Sequence, residues 1–345
     1  HEVSWDQFEL TSWNLPAVTA AVSGKVELVK GNDTVTAAGA DFSYKFDAAN
    51  GALISMIVDG KEMIAEPLRL NVWRAPLANE LDGWNSRSLS GLNAAGYGSI
   101  GHSRVIASAY YAAGLDDLFH VPISVNARQA GDAVLVDVRK LTLLGGGAAR
   151  EGQLDTYISG RSYNGFEELY TWMIAADGTI SVRHKVVPQG RMPEWLPRLG
   201  VTVTLDKTLK NIEWYGRGPQ ASYPDRKSGY RVGVWKSDVD AMYEPYLIPQ
   251  DYGLRTDNRW VRLLDDRGRG LEFRMDQPFS FNAYDCTTEN LTKAVYQYQL
   301  IRGGDITLNL DYATSGVGCT ARGIFDSYRA YPSGYERTIT IRPIK

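Results

Sequence analysis

Paired carboxylates are the first side chains here that could do chemistry, because glycoside hydrolysis uses one carboxyl as acid and a second as base or nucleophile across about 5–10 Å. Glu80 and Asp82 stand two residues apart and can share one side of an extended segment, whereas Glu167 and Glu168 are neighbours and on a strand face opposite ways. Each reads as a solvated loop or edge acid, so the carboxylates alone define no hydrolytic site. His1, His102, His120 and His184 are too scattered to read as a metal set. His184 shares a strand face with Val182 and Val186 and is expected to be a hydrogen-bonded core histidine rather than a base. Cys286 and Cys319 match no zinc or redox spacing, and free core thiols are expected ahead of a disulfide. There is no Gly-x-Ser-x-Gly elbow, no Gly-x-x-x-x-Gly-Lys-Ser/Thr phosphate loop and no His-Glu-x-x-His, which removes the support for three common enzyme classes.

Two denser segments remain. Residues 71–84 run Asn-Val-Trp-Arg-Ala-Pro-Leu-Ala-Asn-Glu-Leu-Asp-Gly-Trp into a long Gly/Ser/Asn-rich stretch, the pattern of a mobile binding loop. Residues 214–226 run Trp-Tyr-Gly-Arg-Gly-Pro-Gln-Ala-Ser-Tyr-Pro-Asp-Arg, where Gly and Pro set an irregular backbone and Arg, Gln, Tyr and Asp supply planar hydrogen-bonding groups. A buried Arg-Asp network bracing a loop explains this second segment at least as well as ligand binding does.

The elements that must hold these segments are strands. Period-two alternation recurs at Phe42/Tyr44/Phe46, Ile54/Met56/Val58, Ile180/Val182/His184/Val186, Val201/Val203/Leu205, Leu271/Phe273, Ile306/Leu308/Leu310 and Ile339/Ile341, with Asp59-Gly60 and Asp177-Gly178 as hairpin-type turns. Helical periodicity is confined to Arg104–Ala113 and to Thr288–Tyr298, where Thr287 is placed to cap. An all-β chain, antiparallel from about residue 34 onward, is expected, and βαβ architectures are disfavoured. Residues 12–33 read as a linker, poor in large side chains and rich in Ala, Val, Thr, Gly and Pro. Before it, residues 1–11 carry the alternation of a single strand. The 345 residues hold 37 Lys+Arg against 40 Asp+Glu, a net charge of −3, so there is no positive field for a nucleic acid. No run approaches the ~20 apolar residues of a membrane span, so a soluble chain is expected. Nine Trp, 20 Tyr and 9 Phe suit β cores and hairpin rims first, and sugar faces second.

At the two dense segments a resemblance enters. Trp73-Arg74-Ala75-Pro76-Leu77 with Asn79 resembles the Trp-Arg-Ala-Pro-Leu-x-Asn signature of the carboxy-terminal domain of family 2 β-galactosidases. Tyr215-Gly216-Arg217-Gly218-Pro219-Gln220, followed by Tyr223-Pro224-Asp225-Arg226, is similar to that domain's Gly-Pro-Gln-x-x-Tyr-x-Asp-Arg element. Pro245-Tyr246 with Pro249-Gln250, Gly253 and Arg255 resembles its Pro-Tyr-x-x-Pro-Gln-x-x-Gly-x-Arg stretch, and Asp311 with Gly316-Val317-Gly318 its closing Asp and turn.

The resemblance implies a large antiparallel supersandwich of the galactose-mutarotase type over residues 34–345, preceded at 1–11 by the last strand of an immunoglobulin-like domain and packed against a catalytic (β/α)8 barrel. The barrel would carry the acid/base and nucleophile glutamates of a retaining mechanism, so this chain alone is expected to fold without hydrolysing. Its implied role is to wall the site for a β-galactoside or oligosaccharide. Carried over by position, Asn79, Glu80, Asp82, Gly83 and Trp84 approach substrate, while Trp73, Arg74, Tyr215, Arg217, Gln220, Tyr223, Asp225 and Arg226 brace the motifs or bind. Metal sites, Mg or Na, are implied for the other domains, and no catalytic residue, metal or cofactor is assigned here. A homo-oligomer is admissible, and the compartment stays open between bacterial-type cytoplasm and periplasm. The sequence departs from the family at Cys319-Thr320-Ala321-Arg322-Gly323, where a stacking Trp is common, and at Tyr296, where a His is common. An autonomous carbohydrate-binding module using the concave sheet ranks second, and a mutarotase-like epimerase, which needs a paired His and Glu in the concavity, ranks third.

Overall fold

Alternating segments become paired strands wherever the chain can be followed. A computed structural model describes residues 5–12, 24–81, 106–145, 163–318 and 324–345. One sheet takes β1 (Glu27–Lys30), β2 (Thr34–Ala38), β3 (Phe42–Asp47), β4 (Leu53–Val58) and β5 (Lys61–Glu62) in chain order. A twelve-stranded sheet takes β6 (Ile64–Asn71), β7 (Leu118–Ala130), β8 (Ala133–Leu144), β9 (Gly165–Ile174), β10 (Ile180–Gln189), β11 (Arg198–Leu205) and β12 (Asn211–Gly218). It is completed by β13 (Arg231–Asp238), β14 (Arg255–Leu264), β15 (Gly270–Tyr284), β16 (Ile306–Thr314) and β17 (Tyr335–Ile344). Helices are short: α1 (Ile106–Ala112) and α2 (Thr288–Lys293), the latter capped by the Thr287 hydroxyl on the Asn290 N–H. The all-β antiparallel architecture with few short helices is therefore what forms.

The large sheet divides along the fifteen-residue β15. Gly270–Met275 pairs with β17, which leads through β10, β9 and β8 to β7, whereas Ser280–Tyr284 pairs with β16, which leads through β11 to β6. The change of partner falls at Gln277-Pro278, where Pro278 has no N–H to donate to a ladder. Inward faces of both sheets meet in one core, with Phe46 edge-on to Trp172 at 5.4 Å and the Tyr44 hydroxyl bonded to the Gly178 carbonyl at 2.8 Å. Gly178 sits at φ +82°, and a Cβ there would lie 2.9 Å from that hydroxyl, so a larger residue would part the sheets.

Three local expectations change. Ile54 points to solvent and Leu53 into the core, because a bulge opposite Lys45/Phe46 shifts the register and turns the alternation over. The expected linker at 12–33 ends earlier, since Val26 is core and β1 already pairs with β2. The charged, mostly exposed sequence of β1 marks an edge strand and gives no apolar signal. The second helix stops at Lys293, short of Tyr298, and Tyr296 and Tyr298 stack in the open at 5.5 Å. Residues 5–12 join no sheet, but the Gln7 side chain makes both hydrogen bonds of a strand partner to the backbone of Val232, and Arg231 lies over Trp5. Cys286 is a free, buried thiol whose pKa burial pushes up to about 12, while Cys319 lies outside the described residues. Among the described residues no helix is long and apolar enough to cross a membrane.

Candidate functional site

Strand β6 ends at Asn71, whose carboxamide accepts the Trp73 N–H at 2.9 Å and turns the chain away from the sheet. The chain then runs to a single 3-10 turn, Ala78–Glu80. The Glu80 carboxylate accepts the Leu77 N–H at 2.9 Å while the Leu77 carbonyl accepts the Glu80 N–H, so the turn is closed from both sides. The other carboxylate oxygen pairs with Arg74 at 2.8 Å. Arg74 also donates to the carbonyls of Ser315 at 2.8 Å and Gly316 at 3.0 Å. Burial opposes its charge, but Glu80 and Asp251 outweigh that and hold its pKa above the ordinary arginine value.

The turn after β16 is pinned from two further directions. Asp225 accepts the N–H groups of Val317 at 3.0 Å and Gly318 at 2.7 Å, and Asn79 donates to the Val317 carbonyl at 3.0 Å. Gly316 is required here, because a Cβ would fall 2.4 Å from the Asp225 carboxylate. The Gln250 carboxamide accepts the Ala78 N–H at 2.8 Å, and the Asp251 N–H donates to the Ala75 carbonyl. All four sequence motifs therefore close on one another.

Beneath them lies a dry polar network. Arg198 donates to Asp251 at 2.9 Å and stands 3.7 Å from Asp311. Tyr223, Tyr284 and Asn282 also bond Asp251, and Asn282 continues through Asn309 to Asn71. Burial pushes the Asp311 carboxyl up to about 6 despite Arg198, which is engaged more closely by Asp251. Arg198, Asp251, Asn282 and Tyr284 escape a reading by motif. Asp251 adjoins Gln250, and Asn282 alternates with Phe281 and Ala283 on β15, which were the available signals.

The motif residues thus separate. Arg74, Asn79, Glu80, Tyr223 and Asp225 gather at this junction, while the Trp73 side chain packs on Tyr111 and bonds Thr292. Glu80 does not read as a solvated acid: it is wholly buried against Arg74, and the approach to substrate expected of it does not fit that position. Asn79 remains partly accessible. Tyr215 and Arg217 occupy the outer face of β12, where Arg217 bonds Asp257 at 2.5 Å and the carbonyls of Lys227 and Tyr230, the bracing role weighed for it. Gln220 is exposed, and Arg226 lies over the Tyr223 ring at 5.4 Å. Asp82, Gly83 and Trp84, with residues 319–323, lie outside the described residues.

A second cluster sits on β8, β9, β10 and β16. His184 is fully buried and stacked on Tyr170, with Nε2 hydrogen-bonded to Glu168 at 3.2 Å and Nδ1 to the Tyr312 hydroxyl at 2.7 Å. Glu168 is accordingly not an edge acid. Thr142 and Tyr170 also donate to it, and although burial opposes its charge, bonds to His120 and His184 hold its carboxyl well below the usual range. Glu167, on the opposite face, pairs with Arg139 in the open. A His-Glu pair thus exists, but with neither side chain accessible to a sugar. Among the described residues no three His, Cys, Asp or Glu side chains group to hold a metal ion.

The chain belongs to the β-galactosidase small-chain family, whose sequence model matches residues 38–341. It is 27% identical over 349 residues to a β-galactosidase of Priestia megaterium and 26% identical over 341 residues to one of Actinobacillus pleuropneumoniae, covering 100% and 97% of this chain. It spans 30% of the length of each of these relatives. A galactose 1-epimerase structure from Lactobacillus acidophilus overlays 93% of the chain at TM-score 0.42 and 10% identity.

Proposed function

We propose that this chain is the carboxy-terminal domain of a retaining β-galactosidase of family 2, and that it completes the galactoside site of a catalytic barrel carried elsewhere in the enzyme. The supporting observation is the junction at Arg74. One buried guanidinium ties the 74–80 turn to the 315–318 turn, and Asn79, partly accessible, stands on the first and bonds the second. A ligand-facing loop needs such a rigid base, because displacement of a positioning group by about 1 Å costs on the order of 100-fold in rate. In this reading Asn79 reaches a sugar hydroxyl, which its partial accessibility supports, and Asp82, Gly83 and Trp84 follow it in the chain. In this reading the acid/base pair belongs to the barrel. It orients the sugar and excludes water while the barrel's glutamates act. The test is Asn79→Ala in the full-length enzyme: KM for a chromogenic β-galactoside should rise several-fold with unchanged melting temperature, and unchanged KM and kcat would contradict the reading.

A further inference from the structure

The β6–β11–β16 wing has two unlike faces. Leu68, Val201, Val203, Leu308 and Leu310 enter the core. The other face carries Arg69 beside Thr202 and Glu66 beside Thr204 and Thr307, held in that register by the ladders. It forms the floor of a groove of about 1010 Å³, walled on one side by Thr288, Thr292 and Lys293 of α2 and on the other by Asp116, Asp117 and His120. Trp73 closes one end, fixed by its indole N–H on the Thr292 hydroxyl at 3.1 Å.

His120 is the groove's organised group. Its Nδ1 lies 2.7 Å from the Thr142 hydroxyl, and that hydroxyl gives its single proton to Glu168. With Nδ1 engaged by Thr142, Nε2 is the ring nitrogen left for a ligand, on a side chain that is 29% exposed. The buried Glu168 holds the Thr142 hydroxyl from behind, and through it the ring of His120.

We infer that this groove is a saccharide-binding site for a neutral mono- or disaccharide, in which His120 Nε2 hydrogen-bonds one hydroxyl and the threonine floor and Asp116 take the remaining hydroxyls. Its volume lies at the upper end of the range for small-ligand sites, about 300–1,000 Å³. Acidic side chains outnumber basic ones along its walls, and Arg69 and Lys293 are paired with Glu66 and Glu289, so phosphorylated or sulfated ligands are repelled. The inference does not depend on the role proposed for Asn79.

The test is titration of the purified 345-residue chain with galactose, lactose, glucosamine and inorganic sulfate, following the His120 ring nitrogens by NMR. The expected result is saturable binding of galactose or lactose with a change at His120 Nε2, weakened about 3- to 10-fold by His120→Ala, the loss of one neutral hydrogen bond. Thr204→Arg, which fills the floor, should abolish it without lowering the melting temperature, and Asn79→Ala should leave it unchanged. The inference is overturned by no saturation up to about 50 mM sugar, weaker than a typical specific site, by tighter binding of glucosamine or sulfate, or by binding that both groove variants retain. Loss through Asn79→Ala would move the sugar to the other site and also overturn it.

Discussion

Arg74 and Glu80 form an ion pair at 2.8 Å with both side chains wholly withdrawn from solvent. A pair this dry is not a source of net stability in itself, since desolvating both charges offsets their attraction. Its effect is geometric: six residues of chain are folded back on one guanidinium that also holds the 315–316 carbonyls. Breaking one side strands the other charge. Glu80→Ala should therefore cost about 3–5 kcal/mol in urea unfolding, whereas the double variant Arg74→Met/Glu80→Leu should cost clearly less. Equal costs would mean that the guanidinium finds water or another acceptor.

Asp225 serves the same junction from the surface side. Asp225→Ala removes two charge-assisted bonds to the Val317 and Gly318 amides and should cost about 1.5–3 kcal/mol. Amide hydrogen exchange at those two residues should accelerate selectively. Unchanged exchange there would show the turn to be held by Arg74 and Asn79 alone.

Asp311 supplies a pH signature. Burial raises its carboxyl from the ordinary 3.8 to about 6, so folding favours its protonated form. The stability linked to it is complete below about pH 4 and is lost as pH rises through about 6, an effect on the order of 3 kcal/mol. Asp311→Asn, which is neutral throughout and keeps an acceptor for Thr314, should flatten that part of the stability-pH curve. Wild type and variant with parallel curves between pH 4 and 7 would refute the assignment.

Glu168 has the opposite sign. Its folded pKa lies well below the ordinary 4.5, so its stabilisation is present above that value and is lost as pH falls through the folded pKa. Glu168→Gln should destabilise the fold by about 2–4 kcal/mol at pH 7, as expected when a buried charged acceptor of several donors is removed. The penalty should shrink on acidification, and a penalty that stayed constant from pH 7 to pH 3 would argue against an ionised Glu168.

How much of this is legible without coordinates depends on whether a residue's environment is local. The strand face Ile180/Val182/His184/Val186 needs only period-two alternation, and His184 emerges as the bonded core histidine that its neighbours imply. Ile54 fails because a bulge is set by the partner strand, and alternation within one strand carries no record of it. Glu167 and Glu168 do face opposite ways. That one face is buried depends on partners from elsewhere in the chain, Thr142 on β8 and the β16 strand that brings Tyr312 to His184, which no local pattern records. The junction was visible as motifs, yet their mutual closure requires Asp225 to reach a turn 92 residues further along. Arg198 and Asp251 carry no sequence signature, because a buried ion pair between separate segments leaves no spacing in either.

The most direct measurement is hydrolysis of a chromogenic β-galactoside by this chain alone and after mixing with the separately expressed amino-terminal part of the enzyme that carries it. The account predicts no hydrolysis by the chain, activity in the mixture, and loss of that activity when the chain bears Glu80→Ala. Hydrolysis by the chain alone would contradict it, since a productive carboxylate pair would then have to lie within these residues.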